Sequence, residues 1–188
     1  MALISSTTII TSISLFHLTL AYFFLVNPRT IDDQVLVWVM GESMGMPIAR
    51  GLDTQSPALG ILSIILAMLG LSDLVSLSMP EEVALIYYWG AQAPLRALFS
   101  MAILFYVYMF GPSSPIYQSE SPRGPLTAPS GYNPSYVPAK WGGDVLKNRV
   151  VFALMFVEMS SWFWAWMTLR EDRYALVQRM RAAEDKEN

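Results

Sequence analysis

Asp73, Arg96 and Glu158 are ionisable residues standing inside otherwise apolar runs of this 188-residue sequence. A charge in hydrocarbon costs roughly 2.5–3.5 kcal/mol on insertion scales, so such groups face the interior of a helix bundle and pair there. Arg96 therefore requires Asp73 or Glu158 as a partner, and its planar fork can serve both. Two kinds of chemistry are open to this cluster: a polar staple that decides which helices meet, or acid–base work by a carboxylate in an apolar site. His17, the single histidine, is a candidate proton relay or a hydrogen-bonding partner for a neighbouring helix. Tyr87, Tyr88 and Trp89 are candidates for the wall of a ligand site or for an aromatic belt at the membrane surface. None of these residues is assigned a catalytic role. With no cysteine and one histidine, the chain lacks a thiolate nucleophile, a thiolate metal site and a histidine metal cluster. No metal and no cofactor is expected.

The elements that must position these groups are membrane spans. The composition is 54% hydrophobic and 14% charged, against about a quarter charged in ordinary soluble domains. The net charge of −3 lacks the basic face that phosphate backbones require, so nucleic acid is not an expected partner. The lipid bilayer is. Residues 1–28 contain no Lys or Arg, which argues against both a secretory signal and a mitochondrial presequence and predicts a retained first span over 7–26.

Asn27-Pro28 ends that span, because proline disfavours helix at the residue before it. Thr30 followed by Asp32 and Asp33 reads as a helix start, and the short run after it predicts an interfacial or re-entrant helix over 31–43 anchored by Trp38. Ser56-Pro57 opens a second span over 57–77. The apolar stretch 82–110 is about 43 Å at 1.5 Å per residue, longer than the hydrocarbon. Gly90 and Pro94 therefore mark an expected bend, with a surface-lying lead-in before it and a third span over 91–110. Residues 111–143 are rich in proline and read as an irregular loop. Asp144 is the expected cap of a fourth span over 150–169, which continues as a charged helical stem over 170–188 because no glycine or proline interrupts it. Trp162, Trp164 and Trp166 sit towards the exit of that span, where aromatic side chains favour the interface. The fold class is all-α: a four-transmembrane-helix bundle in a single membrane domain, with the interfacial helix, the long loop and the stem as additions.

Four crossings place both termini on one side. Lys and Arg number five on that side and six on the other, so their distribution does not orient the protein, and the charged stem points to cytosolic termini. Depth can be counted from the same face. Asp73 lies six residues in from Met79 and Arg96 seven in from Trp89, roughly 9–10 Å each. Glu158 lies eleven in from Leu169, roughly 16 Å. Asp73–Arg96 is the expected primary contact, with Glu158 as an outer or alternative partner.

The blocks SPALGILSIILAMLGLSDL, YWGAQAPLRALF and VLKNRVVFALMFVEMSSWFWAWMTLRED, in this order, together with NPRTI after the first span, resemble the fungal family named for increased loss of mitochondrial DNA. The resemblance covers most of the chain, and the proline-rich loop is long for it. It implies a small multi-pass protein of the endoplasmic reticulum membrane with no established catalytic activity. Any effect on the mitochondrial genome is then indirect, through membrane or organelle homeostasis. The leading expectation is a non-enzymatic accessory or scaffold subunit that binds another membrane protein. The alternative is a bundle pocket that binds, transports or isomerises a lipophilic ligand through a buried carboxylate. A cavity beside an unpaired carboxylate would favour the pocket, and a carboxylate closed against Arg96 would favour the scaffold.

Overall fold

In the computed structural model the described residues are 4–111, 114 and 142–187, and they form helices and no strands. Most of the expected loop over 111–143 lies outside the described residues. The elements in order are α1 (Ser6–Val26), α2 (Arg29–Asp32), α3 (Val35–Ser43), α4 (Pro57–Ser76), a π-helical segment (Val83–Tyr88) running into α5 (Trp89–Met109), a 3-10 turn (Gly142–Leu146) and α6 (Arg149–Glu187). Four helices are long and apolar enough to cross a membrane, over Ser6–Val26, Pro57–Ser76, Val83–Met109 and Arg149–Ala182.

Local chemistry explains most of the boundaries. The Ser56 hydroxyl accepts from the Leu59 amide at 3.3 Å and Pro57 supplies the first helical residue, so α4 starts where its sequence places it. The cap of α6 is Asn148, not Asp144: Asn148 Oδ1 accepts from the Val150 and Val151 amides, both at 3.0 Å. Asp144 lies too far upstream, in the 3-10 turn, where it accepts from Lys147 Nζ at 2.7 Å. The interfacial helix is two pieces, because Gln34 is extended (φ −64, ψ 134) and separates α2 from α3. After α3 the chain reverses at Gly45, whose φ of 61 suits glycine, and the Met46 amide returns to the Gly41 carbonyl at 2.8 Å.

At the expected bend, Gly90–Pro94, the helix is not interrupted. Pro94 sits inside α5, and the irregularity lies one turn upstream as the π-helical segment, where the Trp89 amide reaches the Ala84 carbonyl. The residues read as a surface lead-in are accordingly not all at a surface. Ala84, Leu85 and Trp89 are buried, Tyr88 is partly buried, and Tyr87 is 74% exposed. A π turn accommodates one extra residue, so it rotates the following side chains relative to an uninterrupted α-helix.

The chain folds as two compact units, Met1–Tyr22 with Ile61–Phe99 and Glu158–Asn188, and Phe23–Gly60 with Ser100–Val157. The first unit holds a core in which Ile9, Ile10 and Ile13 of α1 meet Trp89, Ala93 and Ala97 of α5 and Trp162, Ala165 and Leu169 of α6. Helix α4 approaches α1 closely in this unit: a Cβ added at Gly70 would lie 2.8 Å from the Ser14 carbonyl oxygen. Small residues at such a crossing are what allow backbones to pack in a membrane. The face of α4 that turns inward carries Ser63, Gly70, Asp73 and Ser76, all buried, while Ile64, Met68 and Val75 are about two-thirds exposed. Polar residues inside and apolar residues outside is the inverse of a water-soluble helix, and it suits lipid surroundings.

The second unit is built around a different ion pair. Arg149 Nε and Nη2 donate to the two carboxylate oxygens of Asp32 at 2.7 and 2.6 Å. Gly41 lets α3 pass against this arginine, since a Cβ there would meet Arg149 Cβ at 2.6 Å. Met46, Val107 and Phe152 form the small core of this unit.

Candidate functional site

All three charged residues singled out from the sequence belong to the first compact unit, together with His17, Trp89 and Trp162. Helix α4 carries Asp73 fully buried on its inward face. Helix α5 carries Arg96 seven residues after Trp89, and the fork closes on the carboxylate: Nη1 donates to Oδ2 at 2.6 Å and Nη2 to Oδ1 at 2.8 Å. Two parallel charge-assisted bonds make this the strong geometry for an arginine–carboxylate pair. Both carboxylate oxygens are engaged, and the arginine side chain retains 19% exposure.

The guanidinium also lies against two indoles. Its Cζ is 4.6 Å from the Trp162 ring centroid and 5.6 Å from that of Trp89. The two rings themselves stack at 5.6 Å with planes 16° apart. Trp89 and Trp162 are almost fully buried, at 0% and 1% exposure. Arginine stacks well on aromatic faces because its charge is spread over a plane and weakly hydrated. The indoles thus give the cation a second set of contacts where hydrocarbon would give it none.

Glu158 does not join Arg96. Its Oε1 lies 2.6 Å from His17 Nε2, and its Oε2 accepts from Trp162 Nε1 at 2.8 Å, one turn further along α6. Indole is a donor only, so both carboxylate oxygens act as acceptors when His17 carries its proton on Nε2. His17 Nδ1 is buried and has no hydrogen-bond partner among the described residues. The neutral Nε2–H tautomer fits this arrangement, since it leaves at Nδ1 an unsatisfied lone pair and not an unsatisfied proton.

The outcome is one chain of contacts through four helices. It runs from Asp73 on α4 to Arg96 on α5, across the indole of Trp162 to Glu158 on α6, and ends at His17 on α1. Asp73, Arg96, Glu158 and His17 are brought together in this way, and Trp89 joins them through its stack. Tyr88 packs edge-on against Trp89 at 5.0 Å, and Tyr87 stays outside the cluster with most of its surface exposed. Trp162 departs from the expectation of an interfacial anchor: it is buried, while Trp164 is 53% exposed.

Chemically, the arrangement is closed. Every oxygen of Asp73 and Glu158 is within hydrogen-bond reach of a protein donor. Two cavities, one beside the start of α1 and one along α6 from Met167 to Gln178, have linings that include none of Asp73, Arg96 and Glu158.

Residues 4–179 match the model of a protein family described as increased loss of mitochondrial DNA protein 1. No curated protein and no solved structure matches the chain.

Proposed function

The chain belongs to the family described as increased loss of mitochondrial DNA protein 1, and from that premise we propose that it is a non-enzymatic accessory or scaffold subunit of the endoplasmic reticulum membrane. The carrying observation is the closure of the charged centre: Asp73 is 0% exposed with both oxygens on the Arg96 fork. A carboxylate that transfers protons to a substrate needs a place for the reacting atom about 3 Å away. Here that place is taken by the protein's own guanidinium. The cluster then serves to hold α1, α4, α5 and α6 in one arrangement, and the surfaces available for work are the apolar outer faces and the stem beyond Leu169. Another membrane protein is the partner of that reading. Cytosolic termini are part of it, because the stem of α6 then presents its charged residues to cytosolic components. Influence on mitochondrial DNA is indirect, by way of membrane or organelle homeostasis.

The test is to compare abundance with activity in cells for Asp73→Asn and Glu158→Gln. A holding role makes both fall together, because the variants fail to assemble and are degraded. Loss of mitochondrial DNA retention at full abundance, with partner association intact, would refute the holding role and favour chemistry at the carboxylates.

A further inference from the structure

A cavity of about 250 Å³ lies in the first compact unit, where the start of α1, the turn between α4 and the π-helical segment, and α6 just beyond Leu169 come together. Its lining combines Ser6 and Thr7 at the first turn of α1 with Glu81, Trp89, Asp172 and Arg179. These are the ends of the apolar segments and not their middles, so the cavity lies at the depth of lipid headgroups. It is separate from the Asp73–Arg96 pair, which does not line it.

Three features specify what it takes. The lining carries both signs of charge, with Glu81 and Asp172 against Arg179 and the positive end of the 21-residue helix α1. Trp89 lines it and is wholly buried, yet its indole N–H has no hydrogen-bond partner among the described residues. A buried donor left unmade is costly, and an acceptor supplied from elsewhere would relieve it. The volume is below the roughly 300–1,000 Å³ of pockets that enclose a whole drug-sized ligand. It suits a small polar group whose remainder stays outside, as the acyl chains of a lipid stay in the bilayer.

From these features we infer that the cavity binds the ammonium–phosphate headgroup of phosphatidylethanolamine, with the ammonium between Glu81 and Asp172 and the phosphate facing Arg179 and the start of α1. A primary ammonium offers three N–H donors, which two carboxylates can use. A quaternary ammonium offers none and is held by cages of aromatic rings, whereas this lining holds a single one, Trp89. Asp172 is already positioned by α1, since the Ser6 amide donates to its Oδ2 at 3.3 Å. Free phosphoethanolamine carries the same chemistry and is distinguished experimentally.

The experiment uses the full-length protein in nanodiscs of phosphatidylcholine with an equal share of phosphatidylethanolamine, released gently and weighed by native mass spectrometry. The expected result is one retained phosphatidylethanolamine, favoured over phosphatidylcholine by about tenfold, the scale of one charge-assisted hydrogen bond. Glu81→Gln with Asp172→Asn abolishes the preference, and Arg179→Gln lowers retention of both lipids. Glu81 and Arg179 are exposed, and asparagine at 172 still accepts the Ser6 amide, so these variants fold. Displacement by added O-phosphoethanolamine assigns the affinity to the headgroup alone, and failure of displacement assigns it to the anchored lipid. Equal retention of the two lipids, or a preference untouched by the carboxylate variants, overturns the assignment.

Discussion

Replacing Arg96 by methionine keeps much of the side-chain volume and removes both bonds to Asp73, at 2.6 and 2.8 Å, along with the contact to the two indoles. Asp73 has no exposure to water, and among the described residues no second cation pairs with it. Stranding one partner of a buried ion pair costs about 3–5 kcal/mol, while replacing both partners by apolar residues of similar size is often neutral or stabilising. The single variant Arg96→Met should therefore lose more stability than the double variant Arg96→Met with Asp73→Leu. At about 2–4 °C per kcal/mol for a chain of this size, the single change lowers the midpoint by about 6–20 °C, and the second change restores most of that. Thermal unfolding of the purified protein in one detergent, with both single variants and the double, closes the cycle and yields the coupling. A double variant as unstable as the sum of the two singles would show that the residues do not act on each other, and the account of this centre would fail.

Other outcomes follow from the same geometry. Because the chain has one histidine, nitrogen NMR of histidine-labelled protein reads His17 directly, and it should report a proton on Nε2 and a bare Nδ1; a protonated Nδ1 contradicts the hydrogen bonding described. Trp162→Phe keeps the stack but removes the donor to Glu158 Oε2, and should cost about 1.5–3 kcal/mol in the same unfolding assay. Gly60 and Gly70 both lie in α4, and only Gly70 has backbone within reach of an added Cβ. Gly60→Ala should then be neutral or gain up to about 1 kcal/mol, and Gly70→Ala should lose about 1–3 kcal/mol, measured side by side.

The Asp73–Arg96 contact was legible because an arginine inside an apolar run needs a carboxylate and only Asp73 and Glu158 stand in such runs, whereas the depth count that chose between them started Arg96 at Trp89, although the helix already begins at Val83. The partner of Glu158 is legible by the same count: His17 lies eleven residues inside from Ser6, and Glu158 lies eleven inside from Leu169, both roughly 16 Å deep. What depth cannot give is direction. Segments that are apolar on every side do not reveal which face meets lipid and which meets a neighbour, so Trp89 and Trp162 looked like interfacial anchors. The π-helical segment was hidden for a related reason. Its residues, VALIYY, are ordinary helix and strand formers, and the extra residue shows only in the hydrogen bond from Trp89 to Ala84. Asn148 took the cap from Asp144 because a cap must lie immediately before its helix, and α6 begins at Arg149.

Helix α6 runs for 39 residues without interruption, about 58 Å at 1.5 Å per residue, while the hydrocarbon it crosses is about 30 Å thick. The part beyond Leu169 stays packed on the first unit through Leu176 and Met180, with Asp172 accepting from the Ser6 amide, and it carries the helix about 27 Å further. A tilt of about 10° imposed on the spans by a thinner bilayer sweeps the tip of this packed stem through about 5 Å. A small mechanical change among the spans is thereby felt outside the membrane as a displacement as large as a side chain.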